Sequence, residues 1–338
     1  MDLDKKLNLE NFYYELPPES IAQEPVEPRS SARLLVATEG PKNILDAQVK
    51  DLPSFLLPGD LIVVNETKVN PARLQLSKTT GAQAEVLLLE PLGENIWKAL
   101  IKPGRRLKEG TLLYHDAQQV IKIGKRIEDG IVLVEVIDTE IVDKLAQLAL
   151  PPYIHTPLKD PNRYQTIFAS LPGSLAAPTA GLHFDQDLVK ACIAKGADVA
   201  KINLSVGIGT FRPISTTNVE QHVMHEEYYQ VSEQTLAQCR AAKRVIAIGT
   251  TTLRALESVA NSGNLSGKTD LFIYGDFQFK IVDLLLTNFH LPYSSLLVLL
   301  EAFYGSEWKI LYEHGLDKGY RFLSFGDAML ISNRRKNN

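Results

Sequence analysis

The stretch ARLQLSKTTGAQAEVLLLEPLGENIWKALIK, residues 72–102, decides how the chain is to be divided. It holds three short β-prone runs, 72–77, 84–91 and 96–102, with Gly81 and Gly93 in the turns between them. Three further runs, 111–114, 119–124 and 130–137, continue the same texture, separated by Gly104, Gly110 and the pair Asp129-Gly130. Evenly spaced short strands with such turns predict a small sandwich or barrel. Working outward, the pattern changes on both sides. Apolar strand runs at 34–38, 60–64, 199–206, 244–249 and 280–287 alternate with helical segments at 186–195, from Thr250 onward, and at 295–304. That alternation predicts an α/β unit. Residues 1–71 and 150–338 therefore read as two parts of one α/β domain, and 72–149 as a β domain inserted into it.

Two polar turns in the α/β part each place a histidine ahead of a helix. In AAPTAGLHF (176–184), small residues such as Thr179 and Gly181 let the backbone approach a ligand closely. His183 then stands before a helix that Asp185 can cap, where unpaired N–H groups face outward. TNFHLP (287–292) repeats the arrangement with Asn288 and His290. Histidine titrates near neutrality and suits proton transfer. One such turn alone is as well explained by a hydrogen-bonded structural histidine; two predict a shared cleft. Further polar candidates are Arg29 in the proline-rich arm 13–33, the run Asn65-Glu66-Thr67-Lys68 at the end of a strand, and Asp327 after Gly326. On the helix opened by Thr250, Glu257 lies about 40° from Leu253 around the axis. A carboxylate so placed needs a partner, and Arg254, three residues back, is expected to supply it. The pair is either a structural ion pair or a ligand-holding one.

Other motifs narrow the chemistry. Gly207-x-Gly209 has Arg212 where a dinucleotide fingerprint needs its third glycine, so nicotinamide binding is rejected. His222 and His225, three apart and followed by Glu227, have metal-ligand character but neither HExxH spacing nor a nearby cysteine. Acid–base or hydrogen-bonding duty is the preferred reading, with a metal-dependent hydrolase as the rival. Lys102, Arg105, Arg106 and Lys108 crowd one turn, which is either a solvated hairpin tip or a phosphate-contacting one. With 338 residues, 45% of them hydrophobic, and a net charge of −4, the chain can build a sizeable core and is not broadly basic. Nucleic-acid binding would have to rest on a local patch. Cys192 and Cys239 form no metal spacing, which points to a reducing compartment. The N-terminus lacks a signal-type apolar run, and the apolar stretch 291–303 is too short to span a bilayer, so a cytoplasmic protein without membrane contact is expected.

Gathered in order, nine stretches make the chain resemble the S-adenosylmethionine:tRNA ribosyltransferase-isomerase family of queuosine biosynthesis over essentially its whole length. They are YELPPESIAQEPVEPR (14–29), PARL (71–74), LPPYI (150–154), AAPTAGLHF, VGIGTF (206–211), HVMHEE (222–227), GTTTLRALES (249–258), TNFHLP and YRFLSFGDAML (320–330). The chain departs from the family pattern at Glu66 and Lys68, at Ser205 in place of a histidine, at Gly275-Asp276-Phe277, and at Phe325 in place of a tyrosine. No catalytic role is assigned to Ser205 or Phe325.

The resemblance implies an α/β domain with an inserted six-stranded antiparallel β-barrel-like domain, working as a monomer. It implies transfer and isomerisation of the ribosyl unit of S-adenosylmethionine onto 7-aminomethyl-7-deazaguanine in tRNAs with GUN anticodons. Epoxyqueuosine-tRNA would form, with release of adenine and methionine. No separate cofactor and no metal is expected, S-adenosylmethionine being a substrate. Such chemistry needs a base and an acid, for which His183, His290, His222, His225 and Glu227 are the candidates. Arg29, Thr179, Gly181, Arg254, Glu257, Asp283, Asn288 and Asp327 are expected around the substrates, in a cleft between the domains. Glu257, Asp283 or Asp327, or else an aromatic face, would steady the sulfonium, and Lys102, Arg105, Arg106 and Lys108 would hold tRNA phosphates. A non-catalytic tRNA-binding protein is a second rival.

Overall fold

Strand β3 (Asp60–Asn65) is buried at every position, as a strand covered on both faces must be. It lies inside a nine-stranded mixed sheet in the computed structural model, which describes residues 7–128, 130–207 and 214–334. Numbered along the chain, the other strands of this sheet are β1 (Arg33–Ala37), β2 (Leu45–Gln48), β12 (Asp198–Leu204), β13 (Glu227–Val231), β14 (Arg244–Ile248), β15 (Ser266–Thr269), β16 (Leu284–Asn288) and β17 (Ala328–Ser332). Their order is β15-β13-β12-β3-β14-β16-β17-β1-β2. The central block β12, β3, β14 and β16 is parallel. Its four carboxyl ends therefore share one edge, the edge where open α/β sheets commonly bind ligands.

Period-2 alternation sorts the side chains into two cores. Leu61, Val63, Val245, Ala247 and Leu285 join one, together with residues of α4 (Thr250–Ser262) and α5 (Ser295–Tyr304). Ile62, Val64, Ile246, Ile248, Leu284 and Leu286 join the other, with Leu188 and Cys192 of α2 (Gln186–Ala194). Burying each large apolar side chain contributes roughly 1.5–3 kcal/mol. Helices α1 (Thr139–Leu145), α3 (Glu233–Ala241) and α6 (Trp308–Asp317) complete the helical set among the described residues. As expected, Asp185 caps α2, its side chain accepting from the Leu188 N–H at 2.8 Å. Ser294 caps α5 in the same way.

The chain divides into two compact units, one formed by 1–68 and 151–338, the other by 69–150. In the second, β5 (Arg73–Ser77), β6 (Gln83–Gly93), β7 (Ile96–Lys102), β8 (Leu112–His115), β9 (Gln118–Glu128) and β10 (Ile131–Val136) close into an antiparallel barrel. Leu74, Leu76, Val86, Leu113, Val120, Val132 and Val134 are buried in it. Strands β4 (Thr67–Val69) and β11 (Leu171–Ser174) are short and lie outside both larger sheets. The α/β fold with an inserted six-stranded antiparallel barrel expected from the sequence is the fold observed. One strand is shorter than its apolar run suggests. β16 begins at Leu284, not at 280, because the N–H groups of Lys280, Ile281 and Val282 all donate to the Glu257 carboxylate.

Candidate active site

At the carboxyl edge of the parallel block the larger unit encloses a hollow of about 670 Å³, counting the solvent at its mouth. Every lining residue belongs to that unit. Its walls come from the turn after β11 (Ala177–Ala180), the start of α4 (Gly249–Thr251), the end of β16 with the following turn (Thr287–Leu291), and Tyr153, Leu323 and Ser324. The sheet order explains the meeting. β14 and β16 are neighbours, so the loops leaving their carboxyl ends stand side by side.

His290 lines this hollow and is 6% exposed. Its Nε2 lies 3.1 Å from Thr287 Oγ1, and its backbone N–H donates to the Tyr312 hydroxyl at 2.9 Å. Burial pushes its pKa down to about 3. Thr179 donates through its hydroxyl to Asn288 Oδ1 at 2.8 Å, and both line the hollow. Asn288 Nδ2 faces the carbonyls of Leu323 and Asp327 and lies 3.2 Å from His183 Nε2. Those carbonyls need a donor, which fixes the amide orientation. Nε2 of His183 is therefore the acceptor, and its proton sits on Nδ1. Burial, reinforced by the charges of Arg321, Arg163 and Arg29, holds His183 down at about 4. Both histidines are neutral at physiological pH.

The two histidine turns thus converge through Asn288, yet His183 lines a smaller hollow of about 250 Å³ behind it, with Arg29, Arg163 and Phe325. Ser324 borders both hollows, and its hydroxyl lies 2.7 Å from that of Tyr153. Arg29 is engaged in structure, donating to the carbonyls of Gln165, Leu182 and Asn162. Gly181 lies buried in a 3-10 turn, Thr179–His183, where a Cβ would come within 3.0 Å of Thr166 Cγ2. Packing, rather than ligand approach, accounts for that glycine.

The expected carboxylates are elsewhere, and each for a visible reason. Arg254 pairs with Glu227 rather than with Glu257. Glu227 is 5% exposed and also accepts the Gly207 N–H at 2.9 Å, so both of its oxygens are engaged and it is withdrawn as an acid–base candidate. Glu257, fully buried, accepts three backbone N–H groups. Asp283 precedes β16 at the amino end of the parallel block and accepts the Val245 N–H. Asp327, though buried enough that its pKa is raised, ties the N–H groups of Arg33 and Arg321 together. None of these carboxylates lines the hollow, which corrects the expectation that one of them steadies a sulfonium there.

His222 and His225 line neither hollow; His222 packs edge-on against Phe272, centroids 5.2 Å apart. Among the described residues no group of three or more His, Cys, Asp or Glu is placed to hold a metal. Gly209 and Arg212 of the rejected glycine motif fall outside the described residues. In the barrel unit, Lys102, Arg105, Arg106 and Lys108 are all exposed around the turn Gly104–Arg106. Lys102 Nζ lies 3.5 Å from Glu85, and Lys78 donates to the Arg106 carbonyl. Sequence reasoning missed the amino end of α4. Gly249 precedes Thr250 with φ at 87°, a backbone that favours glycine.

An α/β unit with a buried neutral histidine beside an open helix mouth, interrupted by a β-barrel, defines the class. The family described as queuosine biosynthesis protein matches residues 9–331. The S-adenosylmethionine:tRNA ribosyltransferase-isomerase of Thermotoga maritima is 47% identical over 96% of this chain and all of its own. That of Carboxydothermus hydrogenoformans is 46% identical with the same coverage. A crystal structure of S-adenosylmethionine tRNA ribosyltransferase from Thermotoga maritima superposes with a TM-score of 0.56 at 38% identity, over 95% of this chain and 99% of that one. The chain belongs to the S-adenosylmethionine:tRNA ribosyltransferase-isomerase family of queuosine biosynthesis. No helix among the described residues is long and apolar enough to cross a membrane.

Proposed function

We propose that this chain transfers the ribosyl unit of S-adenosylmethionine to 7-aminomethyl-7-deazaguanine in tRNA with a GUN anticodon and isomerises it, releasing adenine and methionine. Family membership supports the reaction class. The observation that carries the assignment to a site is the hollow at the carboxyl edge, where His290, Thr179 and Asn288 meet. A proton has to leave the carbon beside the sulfonium. His290, neutral and facing the hollow, is the group that accepts it, with Thr287 Oγ1 steadying its Nε2. His183 acts through Asn288, orienting the amide that Thr179 grips from the other side. The proton for the departing adenine comes from water or from His290 once it has taken up the substrate's proton, because neither hollow is lined by His222 or His225.

An anticodon loop presents its bases unstacked, so a base can enter without a duplex being opened. The exposed Lys102, Arg105, Arg106 and Lys108 turn is the proposed phosphate contact. The reading is tested by incubating the protein with S-adenosylmethionine and precursor-modified tRNA and measuring free adenine. Adenine released in step with loss of the precursor base is the expected result. tRNA binding without adenine release would instead favour a non-catalytic binding protein.

A further inference from the structure

Strand β16 ends at Asn288, so the backbone of His290 has no sheet ladder to hold it. Buried main-chain groups need partners, and here two tyrosine hydroxyls supply them. The His290 N–H donates to the Tyr312 hydroxyl at 2.9 Å, and the His290 carbonyl accepts from the Tyr14 hydroxyl at 2.5 Å. Tyr312 stands on α6, whereas Tyr14 belongs to the segment that leads into the proline-rich arm. Their rings meet edge to face with centroids 4.9 Å apart, and Tyr14 also packs against Trp308 and Phe322. The imidazole itself makes one hydrogen bond among the described residues, between Nε2 and Thr287 Oγ1. Where that ring stands in the hollow is therefore set largely by its backbone.

The turn after His290 carries a second mark of the same grip. Tyr293 has φ of 58°, in the left-handed region that L side chains rarely adopt. Such backbone persists only where its surroundings over-determine it. The segment before the arm supplies them. The Phe12 carbonyl accepts the Tyr293 N–H at 3.1 Å, Glu10 accepts the Tyr293 hydroxyl at 3.1 Å, and the rings of Tyr13 and Tyr293 lie 5.5 Å apart. Residues 10–14 thus run beside the turn 290–293 and hold it at both ends. None of them lines the hollow, and neither does Tyr312.

We propose that Tyr14, with Tyr312 opposite it, is a positioning residue for proton transfer at His290. This rests on the functional reading above and deepens it. Each hydroxyl fixes one main-chain group of His290, and together they set the direction in which its side chain leaves the backbone. The contact with Thr287 then settles the ring. Burial pushes the pKa of both tyrosines up, so each hydroxyl keeps its proton and Tyr14 remains a donor. A displacement of about 1 Å in a catalytic group can cost on the order of 10²-fold in rate. Loosening this backbone is therefore expected to slow the chemical step and to spare binding.

The test is adenine release from S-adenosylmethionine and precursor-modified tRNA by Tyr14→Phe, Tyr312→Phe, His290→Gln and the two double variants that combine each tyrosine change with His290→Gln. Phenylalanine keeps each ring and its packing and removes one oxygen. Each Phe variant should lower kcat about ten- to a hundredfold while KM for both substrates stays within about twofold of wild type. In the His290→Gln background the same changes should slow the reaction no further, because no imidazole is left to position. A merely structural tyrosine would slow both backgrounds by the same factor, and that result would overturn the inference. A raised KM with an unchanged kcat would overturn it as well. The two hydroxyls act on opposite sides of one residue, so either Phe variant decides the question if the other does not fold. Should His290→Gln leave the rate unchanged, the functional reading and this inference fall together. Slowing by His290→Gln with wild-type kcat in the Phe variants overturns this inference alone.

Discussion

Helix α4 treats polar groups in opposite ways in its first turn and in its middle. Its first turn faces the hollow with hydroxyls and N–H groups and no charge. One and two turns further on, Arg254 and Glu257 are buried and engaged, the first with Glu227 and the Leu271 carbonyl, the second with three N–H groups of the segment before β16. The difference shows where this fold places its charges. Buried carboxylates and guanidinium groups tie strands and loops behind the hollow; neutral groups and a helix amino end form its wall. Counting acids along the chain as partners for a cation inverts that division.

The comparison can be broken at its neutral end first. His290→Gln keeps size and polarity but cannot accept the proton, so adenine release should slow by about 10²–10⁴-fold, the usual contribution of a positioned base. A single-turnover assay at saturating substrate reads it, and an unchanged rate would remove His290 from the mechanism. At the charged end, Arg254→Leu strands Glu227 in a buried place. Urea unfolding should show a loss of about 3–5 kcal/mol, much of it regained in the Arg254→Leu/Glu227→Gln double variant. A loss below about 1 kcal/mol, the range of exposed ion pairs, would mean that the pair is solvated.

Acid titration probes the boundary between the two. His183 has a folded pKa of about 4, below the ordinary histidine value of about 6.5. The unfolded chain therefore takes up the proton first. The stability this group contributes is complete above about pH 6.5 and is lost as the pH falls toward 4. His183→Gln should flatten that part of the stability profile, most visibly in urea midpoints between those two values. The smallest effect is expected in the barrel. Arg105→Gln with Arg106→Gln should lower the slope of log affinity for tRNA against log salt by about 0.7–0.9 for each phosphate that the two arginines neutralise. An unchanged slope would make that turn an ordinary solvated tip.

Much of this was legible in the chain. The six short runs between 72 and 137 gave the barrel because closed antiparallel sheets leave a period-2 pattern and glycine turns. TNFHLP and AAPTAGLHF marked two polar turns that meet through Asn288 and Thr179, but the single cleft expected for both histidines is not what the fold makes, because His183 lines a separate, smaller hollow. What stayed hidden were the partners of buried charges. Helical spacing nominated Arg254 for Glu257, since residues three apart are neighbours on one face. It could not show that β13 brings Glu227 to Arg254, or that residues 280–282 turn their N–H groups to Glu257 instead of a neighbouring strand. The open mouth of α4 was hidden for a similar reason. Gly249-Thr250 reads as a helix start, and only the fold shows that no side chain among the described residues caps it.

The most direct test is to locate the sulfonium substrate itself. Crystals of the protein with S-adenosylmethionine should place it within about 4 Å, ordinary contact distance, of Thr179, Asn288 and His290. Density instead in the hollow around Glu66 and Lys201, or beside Arg240 and Lys280, would contradict the account, because neither of those hollows is lined by a histidine.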